Sequence, residues 1–132
     1  MPRPSASLLR ADIDKALDEF DIEASKCISD KAVLLTVELT DRTPFLTGHA
    51  AFSWIPTIGI GTGEFVENTE GSDVTQRAKQ RAGLATLKGY HISMGGITIE
   101  NQARYMQELN MGSSRKAPAM FVEATIQKVA AL

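Results

Sequence analysis

The sequence predicts an α+β fold: a long N-terminal helix, a small antiparallel sheet, a second helix and a C-terminal helix. Three observations lead there. Apolar residues recur at three- and four-residue steps from Leu9 to Leu35, the period of one helix face. Two short stretches alternate instead, Phe52 and Trp54 with Ile58 and Ile60, and Ile97-Thr98-Ile99, as half-buried strands do. Turn-forming residues separate these segments in the order helix, strand, helix, strands, helix, a segregated arrangement rather than a repeated βαβ one. With 132 residues the chain reads as one domain, residues 1–132, able to hold a core without disulfides or metal.

The first helix is expected from Ser5 to about Thr40. Pro2 and Pro4 precede it and Ser5 or Ser7 suits its cap. Leu9, Ile13, Ala16 and Leu17, Phe20, Ala24, Cys27 and Ile28, then Ala32, Leu34 and Leu35, form its inward stripe, with Cys27 as a core thiol. The intervening face carries Asp12, Asp14, Asp18, Glu19, Asp21 and Glu23. Val33, Leu35, Val37 and Leu39 also alternate as a strand would, but the continuing helical stripe favours helix. Thr43-Pro44 ends it, because proline disfavours helical geometry in the preceding residue. About 35 residues would span roughly 50 Å, whereas a compact chain of this size has a radius of gyration of about 14 Å. Such a helix either kinks or reaches another chain.

Ala51 to Ile60 reads as a strand, at a sheet edge or bulged at Pro56. Gly61 to Asp73 reads as a mobile surface loop. Ser72-Asp73 suits the cap of a second helix reaching Lys88. Its expected inward residues are Ala78, Ala82, Ala85, Leu84 and Leu87; its outward ones are Arg77, Lys79, Arg81 and Lys88, and Gly89 stops it. Tyr90–Ser93 and Gly96–Asn101 read as a hairpin turning at Met94-Gly95-Gly96. Tyr105–Leu109 is ambiguous between strand and helical turn, Asn110–Lys116 is a loop, and Ala117-Pro118 opens a last helix to about Ala130.

Composition and motifs exclude several kinds of chemistry. The single cysteine leaves no disulfide framework and no cysteine zinc site. Fourteen basic and sixteen acidic residues give a net charge of −2, and no segment is basic enough for phosphate-dominated nucleic-acid binding. Residues 1–66 carry 6 Lys/Arg and 10 Asp/Glu; residues 67–132 carry 8 and 6. The N-terminus lacks the apolar stretch of a secretion signal, so the chain is expected to stay in the compartment that makes it. The longest uncharged run, Thr43–Gly63, is broken by prolines and glycines and does not read as a membrane span.

Gly59-Ile60-Gly61-Thr62-Gly63 has neither the spacing nor the following helix of a phosphate-cradling fingerprint. His49 and His91 read as surface or partly buried imidazoles, without metal-ligand spacing. There is no nucleophile elbow and no calcium-loop geometry in the acidic segment. No catalytic residue, cofactor or metal is expected. The basic residues of the second helix, Arg77 and Arg81 among them, read as a solvated or subunit-facing surface, with attraction to the acidic first helix of another copy as one way to pair subunits.

Two segments carry more. Thr43-Pro44-Phe45-Leu46-Thr47-Gly48 followed by Ser53-Trp54 resembles the T-P-x-x-T-G…S-W element of head-tail connector and tail-completion (neck) proteins of long-tailed bacteriophages. Gly96 to Tyr105 with Asn101-Gln102-Ala103-Arg104-Tyr105, then Gly112-Ser113-Ser114, then Ala117-Pro118, is similar to that family's N-x-A-x-Y strand, G-S-S loop and A-P before the closing helix. The likeness spans nearly the whole chain. Leu46 departs from it, standing where the family often has an acidic residue.

The resemblance implies a virion structural protein of the head-tail junction, assembled in the host cytoplasm and residing in the virion neck or tail. It implies a homo-oligomeric ring of six or twelve copies, with connector, tail terminator or tail tube proteins as neighbours, DNA at most passing through the ring, and no membrane. A tail terminator or stopper is the alternative within the junction; a small enzyme using His49 or His91, or a DNA-contacting protein, is the alternative from another class. On the residues themselves, Thr43, Pro44, Thr47, Gly48, Trp54, Asn101, Tyr105, Gly112, Ser113, Ser114 and Pro118 are expected to be architectural. Gly48 reverses the chain, Trp54 anchors the sheet, Tyr105 presents an amphipathic ring, and Asn101, Asn110, Ser113 and Ser114 close turns and cap the last helix.

Overall fold

The structure, a computed structural model, describes residues 6–45, 47–113 and 117–132, with side chains of the first helix from Arg10 onward. The fold is α+β. Its elements are α1 (Ala6–Arg42), the single-turn α2 (His49–Phe52), β1 (Trp54–Ile58), α3 (Ser72–Thr86), β2 (Ile97–Asn101), the single-turn α4 (Met106–Glu108) and α5 (Phe121–Ala130). Among the described residues the sheet is the antiparallel pair β1–β2, in register from Trp54 opposite Asn101 to Ile58 opposite Ile97.

Uninterrupted for 37 residues, α1 is about 55 Å long. Its buried residues are Ser25, Ala32, Thr36 and Leu39, continued by Thr43, at steps of seven, four, three and four. At about 100° per residue, the stripe of Ile13, Leu17 and Phe20 lies roughly 100° around the helix from this face. The predicted stripe is buried only toward its end, where Ala32 is buried and Leu35 packs on the core, while Ile13, Leu17 and Phe20 stand in solvent and Cys27 is exposed rather than in the core. The physical reason is close approach: small and hydroxyl side chains let the neighbouring backbone come near. Ser29 Oγ donates to the Leu87 carbonyl at 2.7 Å, and Ser25 Oγ accepts the Ile92 N–H at 2.9 Å. Of the predicted caps, Ser5 lies outside the described residues and Ser7 lies within the helix.

The expected strand at Ala51–Ile60 is shorter. Ala51 and Phe52 belong to α2, which starts from a left-handed Gly48, and β1 begins at Trp54. The inward face of α3 also differs from expectation. Leu87 is buried and Leu84 half-buried as expected, but Ser72, Gln76 and Gln80 are buried too, while Ala78, Ala82 and Ala85 are exposed. These positions recur every four residues, continue through Gly83 to Leu87, and present amides to polar atoms of the domain interior. Gly83 passes so close to β1 that a Cβ there would stand 2.6 Å from the Pro56 carbonyl oxygen. Gly71, not Ser72, is the residue before the helix.

The hairpin predicted across Met94-Gly95-Gly96 does not form. Ile92–Met94 is a 3₁₀ turn, and β2 pairs with the distant β1. Residues 90–95 satisfy their polar groups elsewhere: the Tyr90 hydroxyl donates to the Gly95 carbonyl, His91 Nδ1 accepts the Ser93 N–H, and the Ile92 N–H goes to Ser25. Little is left for a ladder.

Tyr105–Leu109 resolves as helical: α4 runs into a wider turn over Leu109–Ser113. The last helix starts at Phe121, three residues after Pro118, because Met120 adopts φ 63° and interrupts helical geometry. Asn110 caps it as expected, its Oδ1 accepting the Val122 N–H at 2.9 Å while its amide donates to the Glu123 carboxylate at 2.9 and 3.0 Å. On the neighbouring α1, Glu38 meets Arg42 at 3.2 Å and Lys128 of α5 at 3.4 Å. The Arg42 hydrogen bond, with the Lys128 charge, holds the Glu38 carboxyl below the usual carboxylate range. The apolar core gathers Leu39, Ala50, Trp54, Ala103, Met106, Ala117 and Phe121, so α1, the start of β1, α4 and α5 all close on one centre.

Candidate assembly surface

The two segments of the T-P-x-x-T-G…S-W and N-x-A-x-Y pattern meet around α2, at one end of the sheet. Trp54 Nε1 donates to Thr43 Oγ1 at 2.8 Å, and both side chains are buried. Trp54 stands opposite Asn101 in the ladder. Asn101 Nδ2 donates to the Ala50 carbonyl at 2.9 Å and its Oδ1 accepts the Ala103 N–H at 2.8 Å, so this one amide fastens α2 to the turn after β2. Gly48 has φ 87°, and a Cβ there would lie 3.0 Å from the Phe45 ring. Thr47 Oγ1 accepts the His49 N–H at 3.3 Å, and Pro44 is half-buried.

Tyr105 is half-buried, its ring 6.2 Å from that of His49. Burial raises its phenol pKa, against the opposing pull of hydrogen bonds to the Ala50 backbone and the Asn68 side chain. The third motif stands apart from α2. Gly112, at φ 97°, lies against Ala119, where a Cβ would come 3.2 Å from the Ala119 Cβ. Ser113 contributes backbone to that turn, Pro118 is exposed, and Ser114 lies outside the described residues.

His49 is completely buried, contrary to expectation. Its Nε2 lies 2.9 Å from the Val66 carbonyl, which only accepts, so Nε2 carries the proton and Nδ1 accepts from Ser72 Oγ at 2.9 Å. Both ring nitrogens are engaged in tying the 59–70 segment and the start of α3 to α2. Below them, Gln76 Nε2 donates to Ser53 Oγ at 3.1 Å and to Gln102 Oε1 at 2.9 Å, and Gln80 Nε2 donates to the Trp54 carbonyl at 2.9 Å and to Thr40 Oγ1 at 2.8 Å. An apolar-period search passes over this network because its members are polar; the signal was the four-residue spacing of Ser72, Gln76 and Gln80.

The glycine-rich segment gathers an anion after all, but from its own chain. The Glu100 carboxylate accepts the Thr62 N–H at 2.9 Å, the Gly63 N–H at 3.1 Å and the Thr62 hydroxyl at 3.1 Å. A Cβ on Gly61 would fall 2.5 Å from that carboxylate. The backbone nest, of the kind that binds phosphates, is filled by a side chain of β2. The segment is further fixed by the Val66 N–H to the Gln102 carbonyl at 2.8 Å and by Arg104 over the Phe65 ring at 5.0 Å. It is a surface loop, as expected, fastened to the domain at these points.

Among the described residues no cluster of His, Cys, Asp or Glu is arranged to hold a metal, and no helix is long and apolar enough to cross a membrane. The unengaged surface lies elsewhere. Every described side chain from Arg10 to Phe20 is exposed, so the first third of α1 projects as an arm. Of the basic residues on α3, Arg77 stacks on Phe52 at 5.2 Å and Lys79 donates to Gln102 at 3.5 Å. Compared with known protein families, characterised proteins and solved structures, the chain matches none.

Proposed function

We propose that the chain is a virion structural protein of the head-tail junction, a tail-completion or neck component that forms a ring of its own copies and docks between connector and tail tube. The observation that carries this reading is the α1 arm, where apolar side chains stand in solvent beyond the domain that should bury them. An exposed amphipathic helix of that kind marks an interaction surface. Part of the pattern shared with tail-completion proteins supports the reading in a second way: Thr43, Gly48, Trp54 and Asn101 build the junction of α2, β1 and β2, which anchors the end of α1 opposite the arm. The work is interface formation rather than catalysis.

The test is genetic and microscopic. In phage particles assembled without this chain, electron microscopy is expected to show filled heads and finished tails that remain separate. Intact, infectious particles in its absence would overturn the reading.

A further inference from the structure

We infer that a groove beside α1 receives the α1 arm of a second copy, joining copies head to tail. The arm presents Ile13, Leu17 and Phe20, which are 58%, 55% and 66% exposed. Their spacing, i, i+4 and i+7, is that of an amphipathic helix seated in an apolar groove. Around this ridge, residues 10–23 carry six carboxylates against Arg10 and Lys15.

The receiving surface lies between the middle of α1 and the end of α3, a groove of about 770 Å³. Val33, Leu84 and Leu87 supply apolar lining, and Lys26, Arg81 and Lys88 supply positive charge, against the single carboxylate of Asp30. Apolar ridge with acidic flanks meets apolar groove with a basic margin. Such complementarity selects partner and register more than it adds affinity.

Geometry decides the mode of pairing. The residues of α1 that wall the groove, Ile22, Ser29 and Val33, lie roughly 180° around the helix from Ile13, Leu17 and Phe20, at about 100° per residue. Ridge and groove thus occupy opposite sides of one continuous helix, and the arm cannot fold into its own groove. A contact between two different patches is heterologous, and it closes into a ring when the rotation per copy divides a full turn. The interface rests on the ring reading above, but it has its own test.

The 132-residue chain is examined in solution by light scattering coupled to gel filtration, with circular dichroism as the fold control. An arm variant, Leu17→Lys with Phe20→Lys, and a groove variant, Arg81→Glu with Ala85→Glu, alter exposed residues only. The wild type is expected to assemble and each variant to run at the mass of a single folded chain. Mixed in equal amounts, the two variants should form a dimer and nothing larger, since only one intact ridge and one intact groove remain. A monomeric wild type, a groove variant that still assembles, or an arm variant that still assembles would each overturn the interface. The head-tail reading is judged separately, by the particles that lack the chain.

Discussion

The bond from Trp54 to Thr43 shows how single residues hold the platform. Thr43 Oγ1 accepts the indole N–H and donates to the Leu39 carbonyl at 2.6 Å, so one hydroxyl ends α1 and fixes the first residue of β1. Thr43→Val keeps the shape and strands a buried donor, a loss of about 1–3 kcal/mol. Urea unfolding followed through Trp54, the sole tryptophan, should show it as a lower midpoint with unchanged slope. Tyr105 gives a pH signature. Its phenol pKa is raised above the ordinary 10.0 by burial, so the neutral form is the one the fold favours. That contribution is complete below pH 10.0 and is lost as pH rises through the raised value. The wild type should therefore lose stability on the alkaline side where Tyr105→Phe does not, measured as the difference between their melting temperatures across that range.

At the scale of elements, α3 and the sheet meet with almost no spare volume. Gly83 rests on Pro56, and the inward residues before it, Gln76 and Gln80, are amides, so this contact depends on backbone proximity and directed hydrogen bonds. Gly83→Ala should raise helix propensity yet lower stability by about 1–3 kcal/mol, because overpacking a tight contact outweighs a gain of at most about 1 kcal/mol from propensity. A stabilised variant would show that α3 can shift outward freely. The helix periods, the strand at Ile97–Thr98–Ile99 and the helix-terminating role of Thr43-Pro44 were all legible from spacing. The strand partner was not. Local turn residues pointed to a hairpin at Gly95-Gly96, but strand pairing is settled by whichever edge remains unsatisfied, and residues 90–95 had already spent their polar groups on Ser25 and on one another.

Across the whole molecule, the core contacts and the proposed assembly contact fall on different parts of α1. Leu39 is 2% exposed in the centre of the core and Leu17 lies on the arm. Leu39→Ala should cost about 2–5 kcal/mol, whereas Leu17→Ala should fall within about 0.5 kcal/mol, both read from chemical unfolding in the Arg81→Glu, Ala85→Glu background, which keeps the chain single. A comparable loss from both would mean that the arm packs on its own domain. The same division explains what was readable in the candidate site. Gly48, Trp54, Asn101 and Asn110 were recognisable because backbone reversals, sheet anchors and helix caps need particular residue types. His49, Gln76, Gln80 and Glu100 were not, because a buried polar side chain is identified by its partners, and those partners lie in other segments.

By itself, the sequence determined the α+β class, the order of the helices and a first helix too long for its own domain, since period, proline placement and length are local properties. Only the tertiary structure decided which face of that helix is buried. Packing follows the residues that permit close approach, so Ser25, Ala32 and Thr36 turned inward. The more apolar stripe of Ile13, Leu17 and Phe20 was left in solvent, because none of the other described residues covers it.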